Sequence, residues 1–278
     1  MHFIYSEWEE FCENLHKNGK HSITARSLFD KSEDKYFVLK HDVETSLEKA
    51  LKLAQIENKY EHKGSYYVQA YLLDNEKNIK ILNEIKNLGH EVSYHYDVMD
   101  ATGGDLEQAI ELYEKNKVIF ENSGFKIKTV CQHGNPVVER KGYTSNRDFF
   151  RAEKVTEKYP DVADIMVNFK EMANTDYSYI SDAGLGFQII FDPINNDIVP
   201  SKEKDVFLGE LDKVLELILK GESSVIISTH PHRWTSSKGK HAVRKVIFNV
   251  IRKTVKALSK IPFIKKFMSK YYYVAKKL

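Results

Sequence analysis

The chain has 278 residues, enough for one large domain or two small ones with a sizeable hydrophobic core. Hydrophobic residues make up 42% and charged residues 29%, which argues against global disorder. No apolar run reaches the length of a membrane span, and no secretory signal is visible. Only two cysteines are present, which excludes a disulfide scaffold and favours a reducing compartment such as the cytoplasm.

The charge is unevenly distributed along the chain. The 42 Lys and Arg residues nearly balance the 40 Asp and Glu residues, and the formal net charge is +2. From Ser237 to the C-terminus there are 13 basic and no acidic residues, which leaves a net charge of −11 on the rest. The pattern predicts an acidic body over residues 1–236 and a basic tail over residues 237–278. Such a tail is expected to meet an anionic surface.

Helical and strand patterns alternate along the chain. Helices are predicted over residues 5–17, 46–60, 76–88, 105–123 and 207–220. Strands are predicted over residues 36–43, 64–70, 91–97, 126–134, 163–169, 177–184 and 223–232. This alternation indicates parallel strands joined by right-handed crossovers, and therefore an α/β sheet or barrel.

Imidazole and carboxylate side chains collect where the predicted strands end. Five strand ends carry such groups, and they include His41, Asp42, Glu44, His95, Asp97, His133, Asp182 and His230. Active sites of parallel α/β folds form at the carboxyl ends of the strands. We therefore expect these side chains to converge on one site.

Histidines and carboxylates without thiolates suit Zn²⁺, or another divalent ion such as Co²⁺, Ni²⁺, Mn²⁺ or Fe²⁺. A catalytic ion of this kind lowers the pKa of water and polarises a carbonyl group. Asp42 and Glu44 lie on the same face of their strand, because side chains alternate with a period of two. One can therefore hold a metal while the other acts as a base, which predicts metal-assisted hydrolysis of an amide or ester.

From about Tyr36 to Trp234 the sequence resembles the polysaccharide deacetylase superfamily, carbohydrate esterase family four. The matching motifs are His41-Asp42-Val43-Glu44, Gly89-His90-Glu91 with His95, Cys131-Gln132-His133-Gly134-Asn135-Pro136, Asn146-Arg147-Asp148, Ser181-Asp182-Ala183-Gly184 and His230-Pro231-His232-Arg233-Trp234. Each motif is weak alone, but their order and spacing together are fairly specific. The resemblance implies a distorted (β/α)₇ barrel, here with extra C-terminal helices.

The resemblance also implies roles for individual residues. Asp42 would be the catalytic base and His230 the acid, and Glu44 and His95 would be metal ligands. Glu44 stands where the family usually has Asp.

The second motif departs further from the family pattern. Met99 stands four residues after His95, where the family usually has another His. The third metal ligand must therefore come from elsewhere. We expect His133 first, with Asp97 and Asp100 as further candidates.

Five residues are candidates for substrate binding or for supporting the site: His41, Asp97, Asp182, Arg233 and Trp234. Asp182 could orient a catalytic histidine, as carboxylates behind such histidines often do. Arg233 and Trp234 could bind a sugar, or they could be an ordinary pair at the barrel rim.

These observations predict a hydrolase that removes an acetyl group from an N- or O-acetylated sugar. The substrate would be a lipid- or nucleotide-linked saccharide in surface-glycan assembly. One alternative is a non-catalytic descendant of the fold that binds glycan or scaffolds a membrane assembly. A second alternative is hydrolysis of a non-sugar amide at the same site, since the fold does not fix the substrate.

The C-terminal tail carries its own prediction. Residues 241–260 place apolar side chains at helical spacing among Lys and Arg, and a second apolar and aromatic face follows Pro262. A basic amphipathic stretch of this kind indicates peripheral binding to an anionic membrane, here the inner membrane face. The alternative is a helix pair packed on the acidic barrel. Nucleic acid is not expected, because no recognised binding motif accompanies the charge.

Removing residues 237–278 is expected to release the protein from anionic liposomes, because the tail supplies both the positive charge and the apolar face. Co-sedimentation with anionic vesicles measures this, with neutral vesicles as the control. If the full-length chain does not bind anionic vesicles, the membrane prediction is wrong.

Overall fold

The computed structural model describes residues 3–29, 35–135, 138–182, 186–199, 204–239, 242, 243 and 246. The described helices are α1 Tyr5–Lys17, α2 Leu47–Lys59, α3 Glu76–Asn87, α4 Val98–Ala101, α5 Leu106–Asn122, α6 Asp148–Arg151, α7 Glu153–Lys158, α8 Phe169–Met172 and α9 Leu211–Lys220. The described strands are β1 Phe37–Val43, β2 Gly64–Val68, β3 Glu91–Tyr96, β4 Thr129–Gln132, β5 Ala163–Asp164, β6 Ser178–Ser181, β7 Phe187–Ile190, β8 Val206–Gly209 and β9 Val225–Thr229. Short 3₁₀ helices cover Ala25–Phe29, Ala70–Asp74 and Pro231–Arg233.

The strands form one mixed sheet of nine, in the order β5-β4-β3-β2-β1-β9-β6-β7-β8. The seven strands from β5 to β6 in this order are parallel, as the alternating pattern predicts. The strands β7 and β8 extend the sheet in antiparallel pairing. The prediction of an α/β fold is therefore confirmed.

The sheet is strongly curved. The Tyr67 hydroxyl of β2 lies 2.7 Å from the Thr129 hydroxyl of β4, although β3 separates these strands in the sheet. Tyr177, just before β6, donates a hydrogen bond of 2.6 Å to the carbonyl oxygen of Ile165, just after β5. The two ends of the parallel part thus approach each other, but no ladder joins β5 to β6 within the described part of the chain. Closure into a seven-stranded barrel stays a prediction.

Two predicted elements are wrong in detail. The predicted strand 163–169 ends at Asp164, because its carboxylate accepts the backbone N–H of Met166 and Asn168 accepts that of Asp164. Such local side-chain bonds turn the chain away from a ladder. The predicted helix 207–220 begins only at Leu211, since the residues before it form β8, where Gly209 has a φ of 80°.

Within the described residues, none of the helices is long and apolar enough to cross a membrane. The predicted tail, residues 237–278, lies almost entirely outside the described residues. Its amphipathic helices and the domain boundary at residue 236 therefore stay predictions.

A buried carboxylate joins the convex face of the sheet to α1 and α2. Glu57 is fully buried and accepts hydrogen bonds from Trp8 Nε1 at 3.1 Å and from the Tyr66 hydroxyl at 2.8 Å. The ring of His41 stacks on Tyr66, and its Nε2 lies 2.8 Å from Glu57. His90 Nδ1 lies 3.7 Å from the same carboxylate. One side chain of α2 therefore accepts hydrogen bonds from α1 and β2 and lies within ion-pair distance of His41 on β1.

The variant Glu57→Ala is expected to lower the free energy of unfolding by about 3 to 5 kcal/mol, because it leaves buried polar partners without their acceptor. Chemical denaturation measures the loss. Glu48→Ala, on the same helix but exposed, is the matched control and should cost less than about 1 kcal/mol. Equal losses in the two variants would contradict the assigned role of Glu57.

Candidate metal and catalytic site

The two faces of β1 carry different side chains and contact different parts of the protein. Lys40 and Asp42 point to the concave face, and Glu44, just beyond the strand, follows with the same period. His41 points to the opposite face, where it meets Glu57. The structure therefore does not bring His41 to the predicted site, although it adjoins Asp42 in the sequence.

Three side chains form a group that could hold a metal ion. The ligand atoms of Glu44, His95 and His133 all lie within 4.8 Å of one another. His133 Nδ1 lies 3.2 Å from His95 Nε2 and 3.3 Å from Glu44 Oε1. The histidines come from β3 and from the residue that follows β4, and the carboxylate follows β1. Three strand ends thus supply one set of ligands.

The donor set fits a zinc-like ion. Bonds of about 2.0 to 2.1 Å at tetrahedral angles separate ligand atoms by about 3.3 Å, close to the two distances observed here. His95 donates its Nδ1–H to the carbonyl oxygen of Cys131 at 3.0 Å, which leaves the Nε2 lone pair directed at His133. Burial is the main cause that lowers the pKa of His95 to about 3, so its ring is neutral, as metal binding requires.

Glu44 is held as a carboxylate. Burial alone would raise its pKa, but the hydrogen bond from His133 and the nearby His230, whose own pKa is raised, hold the pKa of Glu44 well below its usual range. Its side chain keeps 25% of its surface exposed, so the group opens toward solvent. This exposure suits a catalytic rather than a closed structural site.

The other expected third ligands lie elsewhere. The carboxylate of Asp100 accepts two hydrogen bonds from Arg140, and others from Asn146 and Tyr143. Asp97 lines a separate cavity and is not part of the metal-binding group. Met99, at the departure from the second motif, packs in the hydrophobic core.

Asn146, which the sequence analysis quoted only as part of a motif, supports His133. Its side-chain amide donates hydrogen bonds to the carbonyl oxygen of His133, at 2.8 Å, and to the carboxylate of Asp100, at 2.9 Å. The amide oxygen accepts a hydrogen bond from the backbone N–H of Asp100. The loop that carries His133 is therefore fixed by a buried hydrogen-bond network.

Lys40 is a buried cation that the sequence analysis missed. Its ammonium is 1% exposed and lies 2.7 Å from both carboxylate oxygens of Asp42. The hydroxyl groups of Tyr179 and Ser228 lie 3.2 Å from it, and the Cys131 thiol is a further neighbour. The sequence contains a feature that could have indicated this ion pair: a lysine inside an apolar strand, two residues before an aspartate on the same face.

The ion pair keeps Asp42 ionised. Burial by itself would raise the pKa of Asp42, but the Lys40 ammonium, with a smaller contribution from His230, lowers it to about 2. A carboxylate near neutral pH can accept a proton from water.

His230 faces Asp42 and the metal-binding group. Its Nε2 lies 3.9 Å from Asp42 Oδ2 and 4.0 Å from Glu44 Oε1. Its Nδ1 lies 2.7 Å from Asp182 Oδ1, and Asp182 also accepts the backbone N–H of His230 at 2.9 Å. Burial would lower the pKa of His230, but the Asp182 carboxylate outweighs it and raises this pKa above its usual value.

Arg233 and Trp234 contact residues that lie next to His230, namely Asp182 and Thr229. Arg233 Nη1 donates 2.7 Å to Asp182. Trp234 is fully buried, donates to Thr229 at 2.9 Å and packs against Trp8. Its ring has no exposed face on which a sugar could stack, so the structure does not place Trp234 at the substrate surface.

His232 is a further imidazole that the sequence analysis left without a role. Its ring centroid lies 5.6 Å from that of His230. Burial, together with the neighbouring His230, lowers the pKa of His232 to about 4, so the ring is neutral near pH 7.

Comparisons with known proteins give only distant similarity. No family model and no curated protein matches the chain. Among solved structures, the chain is similar to the peptidoglycan deacetylase PdaC from Bacillus subtilis, with a TM-score of 0.36 and 11% identity over 81% of this chain and 96% of that one. A mutant of the same protein matches with a TM-score of 0.35 and 10% identity over 79% and 96%. At these TM-scores neither likeness assigns a family or an activity.

The double variant His95→Ala/His133→Ala is expected to lose bound divalent metal, because it removes two of the three donor atoms. Elemental analysis of protein purified without chelator measures the content, and about one ion per chain is expected before mutation. His95→Ala alone should also abolish binding, and full occupancy in that variant would remove His95 from the site.

A second group of possible ligands at the protein surface, His16, His21 and Glu61, supplies the matched control. His16→Ala/His21→Ala should leave the metal content unchanged. Loss of the ion in this control, with retention in the first variant, would place the metal at the surface.

Proposed function

We propose that the chain is a divalent-metal-dependent hydrolase that removes an acetyl group from an N- or O-acetylated saccharide. The observation that carries the proposal is the convergence of a possible metal triad, an ionised aspartate and a carboxylate-supported histidine within about 4 Å. A module that only binds glycan has no need of a base and an acid on two sides of one group of ligands. The order of the motifs along the chain supports the same activity and a barrel of the (β/α)₇ type.

Glu44, His95 and His133 would hold the ion, which in that position would lower the pKa of a water molecule and polarise the acetyl carbonyl. Zn²⁺ fits the donor set best, and Co²⁺, Ni²⁺, Mn²⁺ and Fe²⁺ are alternatives. Asp42, paired with Lys40 and directed at the same space, accepts the proton of the attacking water.

His230 acts on the leaving group. Because Asp182 fixes Nδ1, the opposite nitrogen, Nε2, faces the site and can donate a proton to the departing amine or alcohol. The buried carboxylate also stabilises the protonated ring, which is the form that an acid needs. Arg233 keeps Asp182 in place from the other side.

A cavity beside the site suits a hydroxyl-rich ligand. It has a volume of about 260 Å³ and is lined by Tyr71 together with the polar side chains of Gln69, Asp97 and Asn116. The Tyr71 hydroxyl donates to the carbonyl oxygen of Glu44, which links the cavity to the metal-binding group. Aromatic and planar polar side chains are the groups that bind sugars through ring packing and hydrogen bonds.

The saccharide would be lipid- or nucleotide-linked and belong to surface-glycan assembly, and the basic tail would hold the enzyme at the inner, anionic membrane face. These two statements rest on the sequence of residues 237–278 and on its charge.

Acetate release from N- and O-acetylated saccharides by metal-loaded protein tests the activity. Asp42→Asn is expected to lower kcat by about 10²- to 10⁴-fold while the metal content stays unchanged, because the base lies outside the ligand set. The exposed Asp212→Asn is the matched control and should retain full activity.

Full activity in Asp42→Asn would overturn the assignment of the base. Acetate release from simple acetylated amides, but from no saccharide, would favour the non-sugar alternative. No release from any substrate, by protein that carries its ion, would favour a non-catalytic glycan-binding protein.

A further inference from the structure

Two groups of possible metal ligands overlap at His95. The first group is Glu44, His95 and His133. The second group is Asp42, His95 and Cys131, and all three of its residues are buried. In each group the ligand atoms lie within 4.8 Å of one another. His95 Nε2 lies 3.2 Å from His133, and His95 Nδ1 lies 4.0 Å from Asp42. A neutral imidazole accepts through only one of its two nitrogens, so His95 can serve only one of the two groups at a time.

The two groups differ in what surrounds their carboxylates. Both oxygens of Asp42 already contact the Lys40 ammonium at 2.7 Å. The ammonium cannot move away easily, since it is 1% exposed and is held by Tyr179 and Ser228. A metal ion on Asp42 would therefore lie beside a fixed positive charge in a region with little solvent to screen it. Glu44 has no lysine against it in this way: it lies 3.3 Å from His133 and 4.0 Å from His230, and 25% of its side chain is exposed to solvent.

We propose that Lys40 selects between the two groups, directing the ion to Glu44, His95 and His133 and keeping Asp42 free of metal as the base. This inference rests on the proposed metal site and adds a determinant of its position. Lys40 is a positioning residue in this role, since it acts through Asp42. Without its charge, a borderline ion would have a carboxylate, an imidazole and a thiolate available in the buried group, and thiolate is a strong ligand for Zn²⁺ and Co²⁺.

Cobalt spectroscopy tests the proposal, because a cobalt–thiolate bond produces an intense near-ultraviolet charge-transfer band that oxygen and imidazole ligands do not. The native chain loaded with Co²⁺ is expected to show no such band. Lys40→Gln, which keeps a hydrogen-bond donor but removes the charge, is expected to gain it. Lys40→Arg keeps the charge and should not gain it, and Lys40→Gln/Cys131→Ser should lose it again.

A thiolate band in the native chain would overturn the proposal, as would its absence in a folded, cobalt-loaded Lys40→Gln variant. Circular dichroism checks the fold. If Lys40→Gln does not fold, Cys131→Ser in the native background decides the question. Its cobalt affinity should stay within about twofold of the native value, and a loss of about tenfold or more would show that the thiol is a ligand and overturn the proposal.

The outcomes separate this inference from the proposed function. If the native chain binds no cobalt, the metal site and the selection by Lys40 both fail. If it binds cobalt without a thiolate band, and Lys40→Gln gains the band, the selection stands even when no acetylated saccharide is hydrolysed. If acetate is released but the variants do not differ, only the selection fails.

Discussion

The alternation of side chains along β1 is the constraint on which the site depends. This strand lies between β2 and β9 in the middle of the sheet, and all seven of its residues are buried. Its concave face carries Lys40 and Asp42, and its convex face carries His41, which contacts Glu57. A shift of one residue in register would exchange the two faces and break up both the candidate site and the Glu57 network on α2. The register is defined by ladders on both sides of β1.

Burying charged side chains on both faces of β1 costs free energy. The structure offsets this cost because each buried charged side chain has a partner of opposite charge or a hydrogen-bond donor. The Lys40–Asp42 pair and the Glu57 network are both nearly inaccessible to solvent. Removing one member of such a pair is far more costly than the pair is stabilising, because the partner remains as an unpaired buried charge. Low solvent content also strengthens every electrostatic effect in the site, including the one that keeps Asp42 ionised. The pairing that the fold needs for stability therefore also keeps Asp42 in the ionised form that the proposed base requires.

The sequence predicts the parallel strands well, because each is a short apolar run that ends in polar residues. It predicts the convergence of Asp42, Glu44, His95, His133 and His230 for the same reason. It does not show which face of β1 is concave, since both faces of a central parallel strand are buried and the usual polar alternation is absent. This is why His41 was expected at the site and Lys40 was not. The strands β7 and β8 were not predicted, because both are short and lack a clear alternating pattern. They form the end of the sheet, with β8 as the edge strand.

The proposed third ligand, His133, shows how a set of donor atoms can be completed by a residue that is distant in the sequence. Met99 occupies the position of the missing histidine, and its side chain packs in the core, where an imidazole would need polar partners. His133 approaches from the neighbouring strand, and its backbone N–H donates 2.7 Å to the carbonyl oxygen of Tyr96, which extends the pairing of β3 with β4. The Asn146 amide then fixes the loop from the other side. A ligand set is defined by where its donor atoms lie and not by their spacing along the chain. In the proposed site the third donor is therefore His133 at a strand end, whereas the position four residues after His95 holds a methionine that packs in the core.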